Sequence, residues 1–81
     1  MAIYIQLNKI EEDASGAIYE FGPAEQIAGR VVVDKSDGSV DLLEIDPNFA
    51  AREMFYLPRI RRVFAQHAAE NNYPDKTFYA A

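Results

Sequence analysis

The sequence predicts an α+β domain: an antiparallel four-stranded meander, one long, Pro-kinked C-terminal helix packed on one face, and a short aromatic tail. Three observations carry this. Apolar residues recur at every second position through most of the first 45 residues, the period changes to three or four after Asp46, and turn-forming residues separate the alternating runs.

The first run, "AIYIQLNKI", sets Ile3, Ile5 and Leu7 on one face and Tyr4, Gln6 and Asn8 on the other, as a strand with one buried face does. "ASG" at 14 to 16 is turn material. "AIYEF" then places Ala17, Tyr19 and Phe21 opposite Ile18 and Glu20, so the first two strands form a hairpin. Gly22 and Pro23 interrupt the second strand, the proline because it lacks an N–H for the ladder. "IAGRVVVD" is the third strand. In "DKSDGS" Gly38 is the expected positive-φ residue, and Asp34 and Asp37 are placed to accept bonds from nearby amides.

"VDLLEI" is the fourth strand, and its adjacent Leu42 and Leu43 break strict alternation. A bulge near this pair lets Val40, Leu42 and Ile45 all face the core. From 48 to 71, Ala50, Met54, Leu57, Ile60, Phe64 and Ala68 trace a helical stripe, with Arg52, Arg59, Arg62 and Gln66 on the opposite side. Asp46 or Asn48 marks its start and "NN" before Pro74 its end. Pro58 falls inside this span, where a kink or a restart into two abutting helices is expected. The tail, with Tyr73, Phe78 and Tyr79, is too aromatic to hang free and packs back as a short strand or extended segment.

At 81 residues and 49% apolar content the chain makes one domain, residues 1–81, with a small core. The absence of cysteine excludes disulfides, thiolate metal sites and thiol nucleophiles. The N-terminal run has no basic leader and alternates, so neither a signal peptide nor a spanning segment is expected, and the cytoplasm is the default location.

Charge is the most informative part of the composition. Residues 1 to 46 carry ten acids and three bases, whereas residues 47 to 81 carry three acids and five bases, within a net charge of -5. Such a field disfavours nucleic acid and favours a basic partner. Arg59, Arg61 and Arg62 therefore read as an exposed helix face rather than a phosphate grip. His67 with Glu70 has helix-neighbour spacing, but no positioned nucleophile accompanies it, so no catalytic residue is assigned. "DKSDGSVDLLE" is one residue short of a calcium loop, and "GPAEQIAG" lacks the Lys-Ser/Thr of a phosphate loop; no metal or cofactor is expected.

The acids Glu11, Glu12, Asp13, Asp37, Asp41 and Glu44 are the candidate partner-binding set, with exposed aromatics such as Tyr4 or Tyr56 as anchors. The features "IYEFGP" at 18 to 23, "GRVVVDKSDGSV" at 29 to 40, the single long helix and the aromatic tail after "YP" resemble small immunity proteins encoded beside bacterial toxins, including those of contact-dependent growth inhibition systems. The resemblance implies a cytoplasmic inhibitor that binds one toxin, a nuclease being one candidate, without catalysis or cofactor. A non-catalytic scaffold, or a homodimer through an open sheet edge, is the alternative reading. The second sheet face, with Ile18 and Leu43, is left for the tail or for another molecule to cover.

Overall fold

The computed structural model describes residues 3–81; Ala2, the first residue of the predicted opening strand, lies outside them. Five strands form one antiparallel sheet: β1 (Tyr4–Glu12), β2 (Gly16–Gly22), β3 (Gly29–Asp34), β4 (Val40–Ile45) and β5 (Lys76–Ala80). A single 3₁₀ turn (Ala50–Arg52) leads into the helix α1 (Glu53–Glu70). The strand order β4-β3-β2-β1-β5 corrects the expected four strands to five. The aromatic tail is the fifth, because β4 ends at one edge of the meander and α1 returns the chain to the other, where β1 still has a free side.

Alternation sorts the two faces as the apolar pattern requires. Ile5, Leu7, Ala17, Tyr19, Phe21, Val31, Val33 and Val40 are buried beneath α1, which contributes Tyr56, Leu57, Ile60 and Phe64. Rings dominate the contact: Tyr19 meets Phe64 with centroids 4.7 Å apart, and Phe21 meets Tyr56 at 5.3 Å. Each such pair adds about 1 kcal/mol to the burial of its apolar area.

The helical stripe needs correction at its start. Met54, expected in the core, is 71% exposed, whereas Tyr56, expected as an exposed anchor, is 1% exposed. Both residues lie in the first turn of α1 on opposite flanks of Leu57, and it is the Tyr56 flank that packs on the sheet, against Phe21. Asp46 accepts the Asn48 N–H at 2.8 Å and so caps a turn, and regular helix begins only at Glu53, without a side-chain cap. The apolar phase is set by Tyr56, Leu57, Ile60 and Phe64. The end of the helix matches expectation: Asn71 adopts φ 51°, and its N–H reaches back to the carbonyls of His67 and Ala68.

Of the kink or restart expected at Pro58, the restart does not occur: α1 runs unbroken through the proline. Pro58 is the sixth residue of the helix and faces solvent, so the N–H it lacks is one bond near the exposed Met54. Arg59, the next residue, donates from Nη1 to the Phe55 carbonyl at 2.8 Å and lies over the Phe55 ring at 4.2 Å. This braces the turn that contains the proline.

Two register shifts shape the sheet. In β4 the pairs Arg30–Glu44 and Val31–Leu42 leave Leu43 as an extra residue, the expected bulge. In β1 the pairs Lys9–Tyr19 and Glu11–Ile18 leave Ile10 unpaired in the same way. Between β3 and β4, Gly38 has φ 77°, and Asp34 and Asp37 accept from Ser36 and Ser39, as expected from their spacing. A Cβ on Gly38 would lie 2.5 Å from the Ala68 Cβ, so the turn packs directly on the helix. At the opposite end Ala24, not Gly22, takes the positive φ. Gly22 is needed for space, since a Cβ there would meet the Gln26 carbonyl at 1.9 Å.

Two stability changes follow. Pro58→Ala restores a ladder bond at an exposed site and raises unfolding free energy by about 1 to 3 kcal/mol in urea denaturation; a decrease would show that the proline is required. Gly38→Ala combines left-handed strain with a clash against α1, and lowers stability by about 2 kcal/mol or more in the same assay.

Candidate functional site

The helix covers one face of the sheet and leaves the other bare. The paired registers define what the bare face carries. One row runs across the strands as Lys76, Asn8, Glu20, Arg30 and Glu44, and a second as Glu11, Ile18, Val32 and Asp41. The second row has an acid at each end of two β-branched residues that are half-buried. Three strand spacings separate its carboxylates, about 14 Å. Glu11, Ile18 and Val32 also line a groove of about 290 Å³ that opens at the β1–β2 hairpin.

The six candidate acids do not form one cluster. Glu11 and Asp41 share the row just described and have no ion-pair partner among the described residues. Glu44 stands in the other row and pairs with Arg30 at 3.2 Å. Glu12 lies on the helix side of the sheet, where it pairs with Lys9 at 2.9 Å and with Lys35. Asp13 accepts from the Ser15 N–H, the Ser15 hydroxyl and the Gly16 N–H at 2.8 to 2.9 Å, and so builds the hairpin turn. Asp37 serves the next turn through the Ser39 N–H.

The bulges are responsible for this sorting. Strict alternation from Ile5 and Leu7 would turn Glu11 inward; the extra residue Ile10 reverses the phase, so Glu11 faces outward and Glu12 inward. The extra residue Leu43 likewise sets Asp41 and Glu44 on one face although three positions separate them. Alternation in the sequence marks neither reversal at Ile10 nor its consequence for the two glutamates.

The inward acids belong to a network that pins the tail. Lys9, with a side chain 10% exposed, bridges Glu12 and Asp75, the latter at 3.4 Å. Burial acts to lower the Lys9 pKa, but its hydrogen bonds to the two carboxylates more than offset this and raise it. Hydrogen bonds from Lys35 and then Lys9 hold the Glu12 carboxyl below its ordinary value, and the Ser15 and Gly16 donors do the same for Asp13.

The arginines and the histidine are also placed by packing. Arg61 Nε approaches the Val40 carbonyl at 3.5 Å, and Arg59 is held on Phe55. Arg52, at the end of the 3₁₀ turn, and Arg62, on α1, are both exposed. His67 does not pair with Glu70. Its Nε2 meets the Thr77 hydroxyl at 2.8 Å, between α1 and β5, while Glu70 accepts from Gln66 at 3.5 Å. Among the described residues, no three His, Cys, Asp or Glu side chains are grouped to hold a metal ion, and no helix is long and apolar enough to cross a membrane. Tyr4, the other expected aromatic anchor, is 49% exposed and stacks on Phe78 at the β1–β5 edge, with centroids 5.8 Å apart.

The Glu12 network carries a pH signature. A carboxylate held below its unfolded pKa contributes stability that is present above that value and lost as pH falls through the folded one. Glu12→Gln therefore lowers the thermal midpoint near pH 7, and the two proteins converge as pH falls through the folded-state value of Glu12, which its lysine partners hold below the ordinary glutamate value. A gap that persists in acid would assign the loss to packing instead.

Comparison of the chain with known proteins returned no matching family model, no matching curated protein and no matching solved structure.

Proposed function

We propose that this protein is a non-catalytic inhibitor of the immunity type, which binds a cognate toxin with a basic surface in the cytoplasm and uses the bare sheet face to do so. The observation that supports this reading most directly is the row Glu11, Ile18, Val32 and Asp41, whose carboxylates have no ion-pair partner among the described residues and flank an apolar centre. An interface of this composition takes a lysine or arginine of the partner at either end and excludes water over the two apolar residues between.

The separation of charge within the fold supports the same reading. The bare face presents Glu11, Glu20, Asp41 and Glu44 against Arg30 and Lys76, whereas the helix and the 3₁₀ turn before it present Arg61, Arg62 and Arg52. A basic partner is steered toward the sheet and away from the helix. A nuclease, whose own substrate is polyanionic, has a surface of the required sign. Neither Glu11 nor Asp41 takes part in a side-chain hydrogen bond or ion pair among the described residues, so both are available to a partner.

Isothermal titration of the protein with the catalytically inactivated product of the adjacent toxin gene tests this. Nanomolar one-to-one binding is expected. Glu11→Lys with Asp41→Lys leaves the circular dichroism spectrum unchanged and slows association by about tenfold or more at low salt. Absence of heat at several temperatures, with both proteins folded, would reject that toxin as the partner. Tight binding that the double reversal leaves unaltered would move the interface off this face.

A further inference from the structure

The two edges of the sheet are not equivalent. The β4 edge carries the Leu43 bulge and the charges of Asp41 and Glu44, and Arg61 reaches its Val40 carbonyl. Bulges and charges are what blunt an edge against pairing. The β5 edge has neither a bulge nor a proline, and its one charged residue is Lys76 at its start.

The phase of the β1–β5 ladder decides which groups of β5 are free. Ile3 and Ala81 exchange both N–H···O bonds at 3.0 Å, and the Lys9 N–H donates to the Asp75 carbonyl at 2.8 Å. Hydrogen-bonded pairs alternate along an antiparallel ladder, so Ile5–Tyr79 and Leu7–Thr77 are the bonded pairs between them. The N–H and C=O groups of Lys76, Phe78 and Ala80 therefore point away from β1. The side chains of the same three residues lie on the bare face, where Phe78 is 57% exposed and stacks on Tyr4.

We infer that β5 pairs antiparallel with β5 of a second copy of this chain, about a two-fold axis at Phe78, joining two five-stranded sheets into one. The pattern is self-complementary. An axis at Phe78 sets Phe78 opposite its symmetry mate and Lys76 opposite Ala80, so every outward N–H meets an outward C=O. The rings of Phe78 and Tyr4 then form a row with their two counterparts across the axis, which covers the largest exposed aromatics of the molecule. No like charges face each other, because each Lys76 meets an alanine. An extended segment of another protein would bond the same groups but would bring no matching pair of rings. The pairing leaves Glu11, Ile18, Val32 and Asp41 uncovered and is independent of what binds there.

Sedimentation equilibrium of the full chain over a concentration series tests this. The expected result is a weak, concentration-dependent dimer. Phe78→Lys, which would face two ammonium groups across the axis, raises the dimer dissociation constant by about tenfold or more. Ala80→Pro removes an N–H that β1 does not use, a position at which an edge strand tolerates proline, and weakens the dimer similarly while the monomer stays folded. Amide exchange supplies the independent readout: Lys76, Phe78 and Ala80 gain protection with concentration, whereas Thr77 and Tyr79 are protected throughout. A single-chain mass up to about 1 mM, or a dimer that both variants leave unchanged, would overturn the proposal.

Discussion

Tyr19 is the residue on which the arrangement of sheet, helix and tail depends. It sits in the central strand, its ring packs on Phe64 of α1, and its hydroxyl donates to the Pro74 carbonyl at 2.6 Å. One side chain thus holds both the helix and the segment that follows it to the sheet. Burial, then the nearby carboxylates of Glu12 and Asp75, push the Tyr19 hydroxyl well above the ordinary tyrosine range, so it remains a neutral donor to that carbonyl. Tyr73, donating to the Lys35 carbonyl at 3.3 Å, and the Lys9–Glu12–Lys35 ion network secure the same corner from both sides.

With the tail fixed there, β5 has only the free edge of β1 to join. An 18-residue helix is about 27 Å long and spans a five-stranded sheet about 20 Å across, so one helix is enough to cover one face. The described chain holds no second helix for the other face. Exposure of that face is thus a consequence of connectivity, and the residues on it differ accordingly: paired charges in one row, an apolar pair between acids in the next. The groove on it is shallow and lies at the β1–β2 hairpin, lined by Glu11, Ile18 and Val32.

Local signals in the chain account for much of this. The alternation at Ile5 and Leu7 and at Ala17, Tyr19 and Phe21 identified the inner face of the first two strands, because a period of two admits only one buried set. Gly38 and its neighbouring aspartates identified a turn whose backbone is set by residues within it. The adjacency of Leu42 and Leu43 betrayed one bulge. Ile10 left no such trace, since an isoleucine after Lys9 continues a plausible strand, and the two glutamates behind it were therefore indistinguishable. Met54 and Tyr56 were exchanged for a related reason: helical periodicity gives the spacing of a stripe but not which of its flanks meets the sheet, and packing of Tyr56 on Phe21 decided that.

By itself, then, the sequence determined the strand segments, the helix and its end at Asn71, the turn chemistry and the uneven distribution of charge, all of which depend on residues close together in the chain. The tertiary structure alone decided that the tail becomes a fifth strand, that Glu11 and Asp41 share a row while Glu12 and Asp13 are taken up by the fold, and that β5 presents an unguarded edge. These rest on pairing between segments distant in sequence, where a single unpaired residue reverses the direction of every side chain beyond it.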